Sequence, residues 1–185
     1  MRRLRLAAAL AATLIGAQAR AQQVEVNLVG GTGGVYWGGG GGLGLGLALG
    51  ERVVALVGFG ASYTYSDSSF AGDAYRALTL DVPVDLKIYC RQRRVGTLQP
   101  TVRLGAGFRY QHASSSAGVG VLPQEDSKGV TGRALLGLEY RVTPKLAISV
   151  EGGLTASSAG GRLQYESWSV RWLSTMWQAG IVLNL

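Results

Sequence analysis

The chain is 185 residues long, with 29 glycines, one cysteine and a formal charge of +7. A single thiol excludes an intramolecular disulfide and any multi-cysteine zinc site. The charge makes no case for a nucleic-acid partner, because four of the 18 basic residues (Arg2, Arg3, Arg5 and Arg20) fall in an N-terminal leader, leaving 14 against 11 acidic ones.

That leader has three parts. Arg2, Arg3 and Arg5 give a basic start, Leu6 to Ile15 an apolar stretch too short to span a bilayer, and Ala19-Arg20-Ala21 a small-x-small cleavage pattern. They predict a signal peptide over residues 1–21, cleaved after Ala21, and one exported domain over residues 22–185. Cys90 lies far from the leader, so the start is not that of a lipoprotein.

Beyond the leader no stretch is long and apolar enough for a transmembrane helix, and the chain divides into eight alternating segments. The first, Val24 to Tyr36, sets Val24, Val26 and Leu28 against Glu25 and Asn27. The connection Trp37 to Gly42, rich in glycine, is expected to be a flexible surface turn. The second segment, Leu43 to Leu49, alternates leucine with Gly44, Gly46 and Ala48. After the short turn Gly50 to Arg52, the third points Val53, Ala55, Val57, Phe59, Ala61, Tyr63 and Tyr65 one way. The fourth, Leu78 to Ile88, has the clearest period: every even residue is apolar, and Thr79, Asp81, Asp85 and Lys87 lie between them.

Arg91 to Pro100 is a polar, basic connection. The fifth segment sets Val102, Leu104, Ala106, Phe108 and Tyr110 against Arg103, Gly105, Gly107, Arg109 and Gln111. In the sixth, Ala134, Leu136, Leu138, Tyr140 and Val142 oppose Arg133, Gly137, Glu139 and Arg141. Thr143-Pro144-Lys145 is a tight turn. The seventh places Leu146, Ile148, Val150 and Leu154 opposite Ser149 and Glu151. The last carries Leu173, Trp177, Ala179, Ile181, Leu183 and Leu185 in one phase, with Gln178, Gly180 and Asn184 in the other.

A period of two gives each strand one apolar and one polar face. The connections Ser66 to Ala74, His112 to Gly129 and Ser157 to Ser169 are long, while Gly50 to Arg52 and Thr143 to Lys145 are short. Long loops on one side and short turns on the other are the arrangement of bacterial outer-membrane barrels. The expected fold is all-β: a transmembrane antiparallel up-and-down β-barrel of eight strands. Ten strands would require splitting the loop after His112. Such a barrel leaves no backbone group unpaired in lipid and no edge strand.

With the polar phase inward, the interior collects Glu25, Asp81, Asp85, Glu139 and Glu151 with Lys87, Arg103, Arg109, Arg133 and Arg141. An eight-stranded lumen is just wide enough for side chains to fill, and charges removed from water must pair. A plugged, salt-bridged interior is expected in place of an open channel. Tyr36, Trp37, Tyr63, Tyr65, Tyr110, Trp168 and Trp172 fall towards the outer ends of strands, with Tyr89 and Tyr140 towards the inner ends, as two interfacial belts.

In this pattern of leader, eight alternating segments and an apolar-alternating last strand, Val24 to Leu185 resembles the small outer-membrane barrels of the OmpA transmembrane-domain and OmpX/Ail kind. The closing strand in that family ends in an aromatic, most often Phe, where this one ends in Leu185. The resemblance implies location in the bacterial outer membrane, contact with its lipid, and assembly by the outer-membrane insertion machinery.

Four features compete with a purely structural role. His112-Ala113-Ser114 with Glu125 has the composition of a nucleophile, base and orienter, and a lipid A deacylase of the same barrel size carries a His-x-Ser and a later Glu. That motif lies near the penultimate strand, where Thr155 to Ser158 here contains no histidine, so a plain loop histidine is the expectation. Gly39, Gly41 and Gly44 match a dinucleotide fingerprint only formally, since no helix follows. Cys90 is read as a small packing residue beside a solvated basic turn, and Phe70 and Val119 to Leu122 as apolar loop residues open to a partner. The expected function is a non-enzymatic outer-membrane barrel acting in envelope structure or surface interaction through its outer loops. A small passive pore and a lipid-modifying enzyme are the alternatives, and a secreted carrier would need the opposite facing. No cofactor, metal or nucleic acid is expected, and no surface ligand is identified.

Overall fold

The computed structural model describes residues 22–33, 36–68, 73–117, 120–121, 125–158, 161–163, 166–168 and 174–185. The expected leader over residues 1–21, Phe70, Val119, Leu122, Trp172 and Leu173 lie outside the described residues, as do the side chains of Tyr36, Trp37, Glu125 and Trp168.

Every described segment of alternating polarity becomes strand. The elements are β1 (Gln22–Gly33), β2 (Tyr36–Ala48), β3 (Val53–Ser68), β4 (Asp73–Tyr89), β5 (Leu98–Ala117), β6 (Gly120–Val121), β7 (Glu125–Arg141), β8 (Leu146–Ser157), β9 (Gly161–Leu163), β10 (Glu166–Trp168) and β11 (Ser174–Asn184). The long strands pair antiparallel in the order β4-β3-β2-β1-β11-β8-β7-β5, and β4 pairs again with β5 to close the ring. The result is an up-and-down barrel of eight staves. Closure comes from β1 and β11, in register from Gln23 opposite Asn184 to Thr32 opposite Thr175. β6 is a short extension on β5, and β9 and β10 form a separate hairpin.

Connections Leu49 to Arg52, Cys90 to Thr97 and Val142 to Lys145 share one end of the barrel with Gln23 and Asn184. We call this the turn end and the opposite the loop end. The strands reach further towards the loop end than expected. β3 runs to Ser68, β4 starts at Asp73, β5 continues to Ala117 and β7 starts at Glu125, so the expected loops at Ser66 to Ala74 and His112 to Gly129 are largely ladder. A strand needs only about 9–11 residues to cross hydrocarbon. Beyond that depth both faces meet water, so polar sequence pairs as well as apolar sequence and the period fades.

The glycine run is a second correction. Gly38 to Gly42 do not form a turn; they are the middle of β2, paired with β1 on one side and β3 on the other. A residue without a side chain shows no polarity period, yet its backbone donor and acceptor join the ladder like any other.

Facing follows the period. Leu104 and Ile148 are 49% and 50% exposed on the outside, while Asp85 and Arg103 are 2% and 3% exposed within. Leu28, Leu45, Val57, Val84, Leu136 and Val150 extend the same outer apolar surface round the barrel. The inside is not wholly polar. Val54 and Leu56 on β3 pack with Tyr89 near the turn end, and Leu135, Ala147 and Val182 are also buried.

Candidate functional site

Seven of the ten interior charges form one connected network. The Lys87 ammonium (β4) lies 3.0 Å from Glu25 of β1, 3.0 Å from Glu139 of β7 and 3.2 Å from Glu151 of β8. Arg103, on β5, pairs with Glu25, with Glu151 at 2.7 Å and with Asp85 at 3.4 Å. Arg133 closes on Asp85, its Nε donating at 2.8 Å. Neutral groups complete the set: Gln23 donates to Glu25 at 2.7 Å, Gln178 to Glu151, and the Tyr89 hydroxyl to Glu139 at 2.8 Å. Buried charges are tolerable only when paired and hydrogen-bonded, and here each carboxylate meets at least one cation.

Six staves supply these side chains, and β2 and β3 supply none. Their inward faces carry Gly44, Gly46, Val54 and Leu56, which leave room for partners that reach across the lumen. Two glycines elsewhere are required by close approach. A Cβ at Gly105 would overlap the Asp85 carboxylate, and one at Gly137 would overlap the Glu151 side chain.

Nearer the loop end, Arg109 and Asp81 form a separate bidentate pair at 2.7 and 2.9 Å, joining β5 to β4. Between this pair and the network lies a cavity of about 50 Å³, walled by Gly58, Gly60, Asp81, Asp85 and Arg133. That is room for a few water molecules. Arg141, at the turn end of β7, stands 3.9 Å from Glu139, a loose ion pair. The ten charged residues named from sequence thus fall into one network, one separate pair and one loosely attached arginine.

Among the aromatics, Tyr63 and Tyr140 face outward at the loop and turn ends, and Tyr110 follows the outward phase of β5. Tyr89 does not belong to a membrane belt. It is 1% exposed and points into the lumen, because its odd position puts it in the same phase as Asp85 and Lys87. Cys90 is also corrected: it is no packing residue but is exposed just beyond β4. Trp177, which the period alone places in the apolar phase, faces outward with the lipid-type side chains.

At the loop end, the His112 ring nitrogen Nδ1 lies 2.7 Å from Asp126, its register partner on β7. The Tyr110 hydroxyl donates to the same carboxylate at 2.9 Å. The acid beside the histidine is therefore Asp126.

No family model matches the chain, and no curated protein matches it. Solved structures do. A major outer membrane protein from Thermus thermophilus is 12% identical, covers 90% of this chain and 100% of its own, and gives a TM-score of 0.57. Ail, the attachment invasion locus protein of Yersinia pestis, is 9% identical over 89% of this chain and 97% of its own, with a TM-score of 0.53. Neisserial surface protein A is 14% identical over 89% and 96%, with a TM-score of 0.52. At such identities the likeness is one of fold: this chain has the closed eight-stranded architecture of small outer-membrane barrels.

Proposed function

We propose that the chain is an outer-membrane barrel with a closed lumen, which acts without a catalytic step in envelope structure or in surface interaction through its loop end. The observation that carries this reading is the facing of the sheet. Leucine, valine, isoleucine and phenylalanine cover the outside, and the ionised residues are turned to the axis. A water-soluble protein does not expose apolar patches of this extent, whereas a bilayer requires them. The turn end then faces the periplasm and the loop end the exterior. The test is fractionation. Recovery in detergent-extracted outer membrane, with heat-modifiable gel mobility, is the expected result; recovery as a soluble periplasmic protein overturns the reading.

One observation supports a second reading, a lipid-ester hydrolase. His112, held by Asp126, shares its outward face with Ser114 two residues along β5, and Arg76 of β4 stands opposite Ser114. Leu78, the register partner of His112, and Phe108 share that outward face, an apolar surface against which the acyl chain of a lipid ester would lie under this reading. Under this reading, Ser114→Ala abolishes removal of acyl chains from outer-leaflet lipid by the purified barrel. Under the first reading, the wild type has no such activity to lose.

A further inference from the structure

The turn-end mouth of the lumen is closed by a residue from outside the strands. Arg93, in the connection between β4 and β5, folds back over Tyr89 with its guanidinium carbon 4.6 Å from the ring centroid. Its Nη2 donates to Gln23 at 3.0 Å and to Asn184 at 2.6 Å. All three partners are neutral. The inward charges of the strands already balance, with Glu25, Asp81, Asp85, Glu139 and Glu151 against Lys87, Arg103, Arg109, Arg133 and Arg141. Arg93 is a sixth cation, and among the described residues no carboxylate pairs with it.

Arg141 ends β7 at the same mouth, where its carbonyl accepts from the Gly96 N–H of the connection that carries Arg93, at 2.8 Å. Its side chain is 11% exposed, and its nearest acid, Glu139, is 3.9 Å away and already bound by Lys87 and Tyr89. Nε of Arg93, Nε and Nη2 of Arg141 and Nδ2 of Asn184 are buried donors that make no hydrogen bond among the described residues, and Glu139 Oε1, 3.9 Å from Arg141 Nη2, is a buried acceptor that makes none either. Buried donors are almost always satisfied. A water molecule accepts such bonds but leaves the excess positive charge of the mouth in place, whereas an anion accepts them and neutralises it. Around the mouth Arg52, Arg91, Arg94 and Lys145 are exposed and, among the described residues there, Glu51 is the one exposed acidic side chain, a field that draws anions inward.

We propose that this mouth is an oxyanion-binding site, in which Arg93 and Arg141 together hold one phosphate or carboxylate group. Arginine suits this, since its fixed fork of N–H donors matches both groups. The group is either free in solution or carried on an acidic polymer that reaches the turn end. The site rests on the geometry of the mouth and holds whether or not the loop end binds a surface partner.

The test uses the folded barrel in detergent micelles, with arginine side-chain Nε–H signals followed by NMR at constant ionic strength. Inorganic phosphate and a soluble cell-wall fragment bearing free peptide carboxylates are titrated separately. Saturable shifts of the Arg93 and Arg141 signals are expected with at least one probe, and the tighter one identifies the source. Arg93→Gln should weaken binding tenfold or more, and Arg141→Lys should weaken it several-fold. Arg91→Gln should leave it within twofold. Heat-modifiable mobility shows that each variant is folded. Shifts that stay linear with both probes, or unchanged affinity in both Arg93→Gln and Arg141→Lys, overturn the proposal.

Discussion

Lys87 and Glu25 meet at 3.0 Å across the lumen, although their strands are separated in the sheet by the whole of β2 and β3. No backbone ladder holds β1 to β4; this side-chain contact does, over inward faces stripped to glycine and short aliphatic groups. The barrel is therefore cross-braced through its interior as well as zipped around its circumference.

Removing the brace takes the close cation from Glu139 and leaves Glu25 and Glu151 to share Arg103. Breaking a buried ion pair by deleting one partner costs about 3–5 kcal/mol, chiefly from the charge left uncompensated. Lys87→Met should lower the unfolding free energy by about that much, measured by urea unfolding of the micelle- or bilayer-inserted barrel. The double variant Lys87→Met with Glu25→Gln should recover part of the loss.

The close approaches at Gly105 and Gly137 make their own prediction. Gly105→Ala drives a methyl into the Asp85 carboxylate and Gly137→Ala into Glu151. Overpacking of this kind costs about 1–3 kcal/mol. Gly60→Ala is the control, since its added carbon would meet only ordinary contacts at 3.8 and 4.0 Å and should leave the unfolding midpoint unchanged.

The outer surface predicts a depth dependence. Leu136 is 69% exposed on β7, and an arginine at the bilayer midplane of a barrel costs about 2–4 kcal/mol, falling to about 0–1 near the interfaces. Leu136→Arg should therefore destabilise the inserted barrel far more than Leu49→Arg, which lies just beyond β2 at the turn end. Equal effects at the two sites would mean that this surface does not meet hydrocarbon.

Cys90 reports orientation. Its thiol is exposed at the turn end. In intact cells a membrane-impermeant maleimide should leave it unlabelled, and labelling should appear once the outer membrane is opened. Labelling of intact cells would place the turn end outside.

Legibility in the sequence follows the physics of each face. The run from Leu78 to Ile88 is readable because one of its faces meets apolar surroundings and the other a charged interior, so every side chain declares its side. Gly38 to Gly42 declare nothing, and the strand there leaves no trace in the polarity pattern. Ser114 and Ser116 pair with β4 above the apolar belt, where neither face needs hydrocarbon, and the extension of β5 is equally silent. The inward charges can be named from phase alone, but phase does not say which acid meets which base. Residue type assigns Tyr89 to a belt, although its odd number places it with Asp85 and Lys87. Arg93 carries no signal, because its position follows from how a turn folds back, and alternation does not reach into turns.

Closure of the lumen is the claim on which the rest stands, and single-channel recording in planar bilayers tests it most directly. The purified barrel should give no stable conductance, and Lys87→Met or Arg103→Met should at most introduce brief flickering steps. Large, long-lived and reproducible steps from the wild-type protein would contradict a lumen spanned by Lys87, Arg103 and their carboxylates.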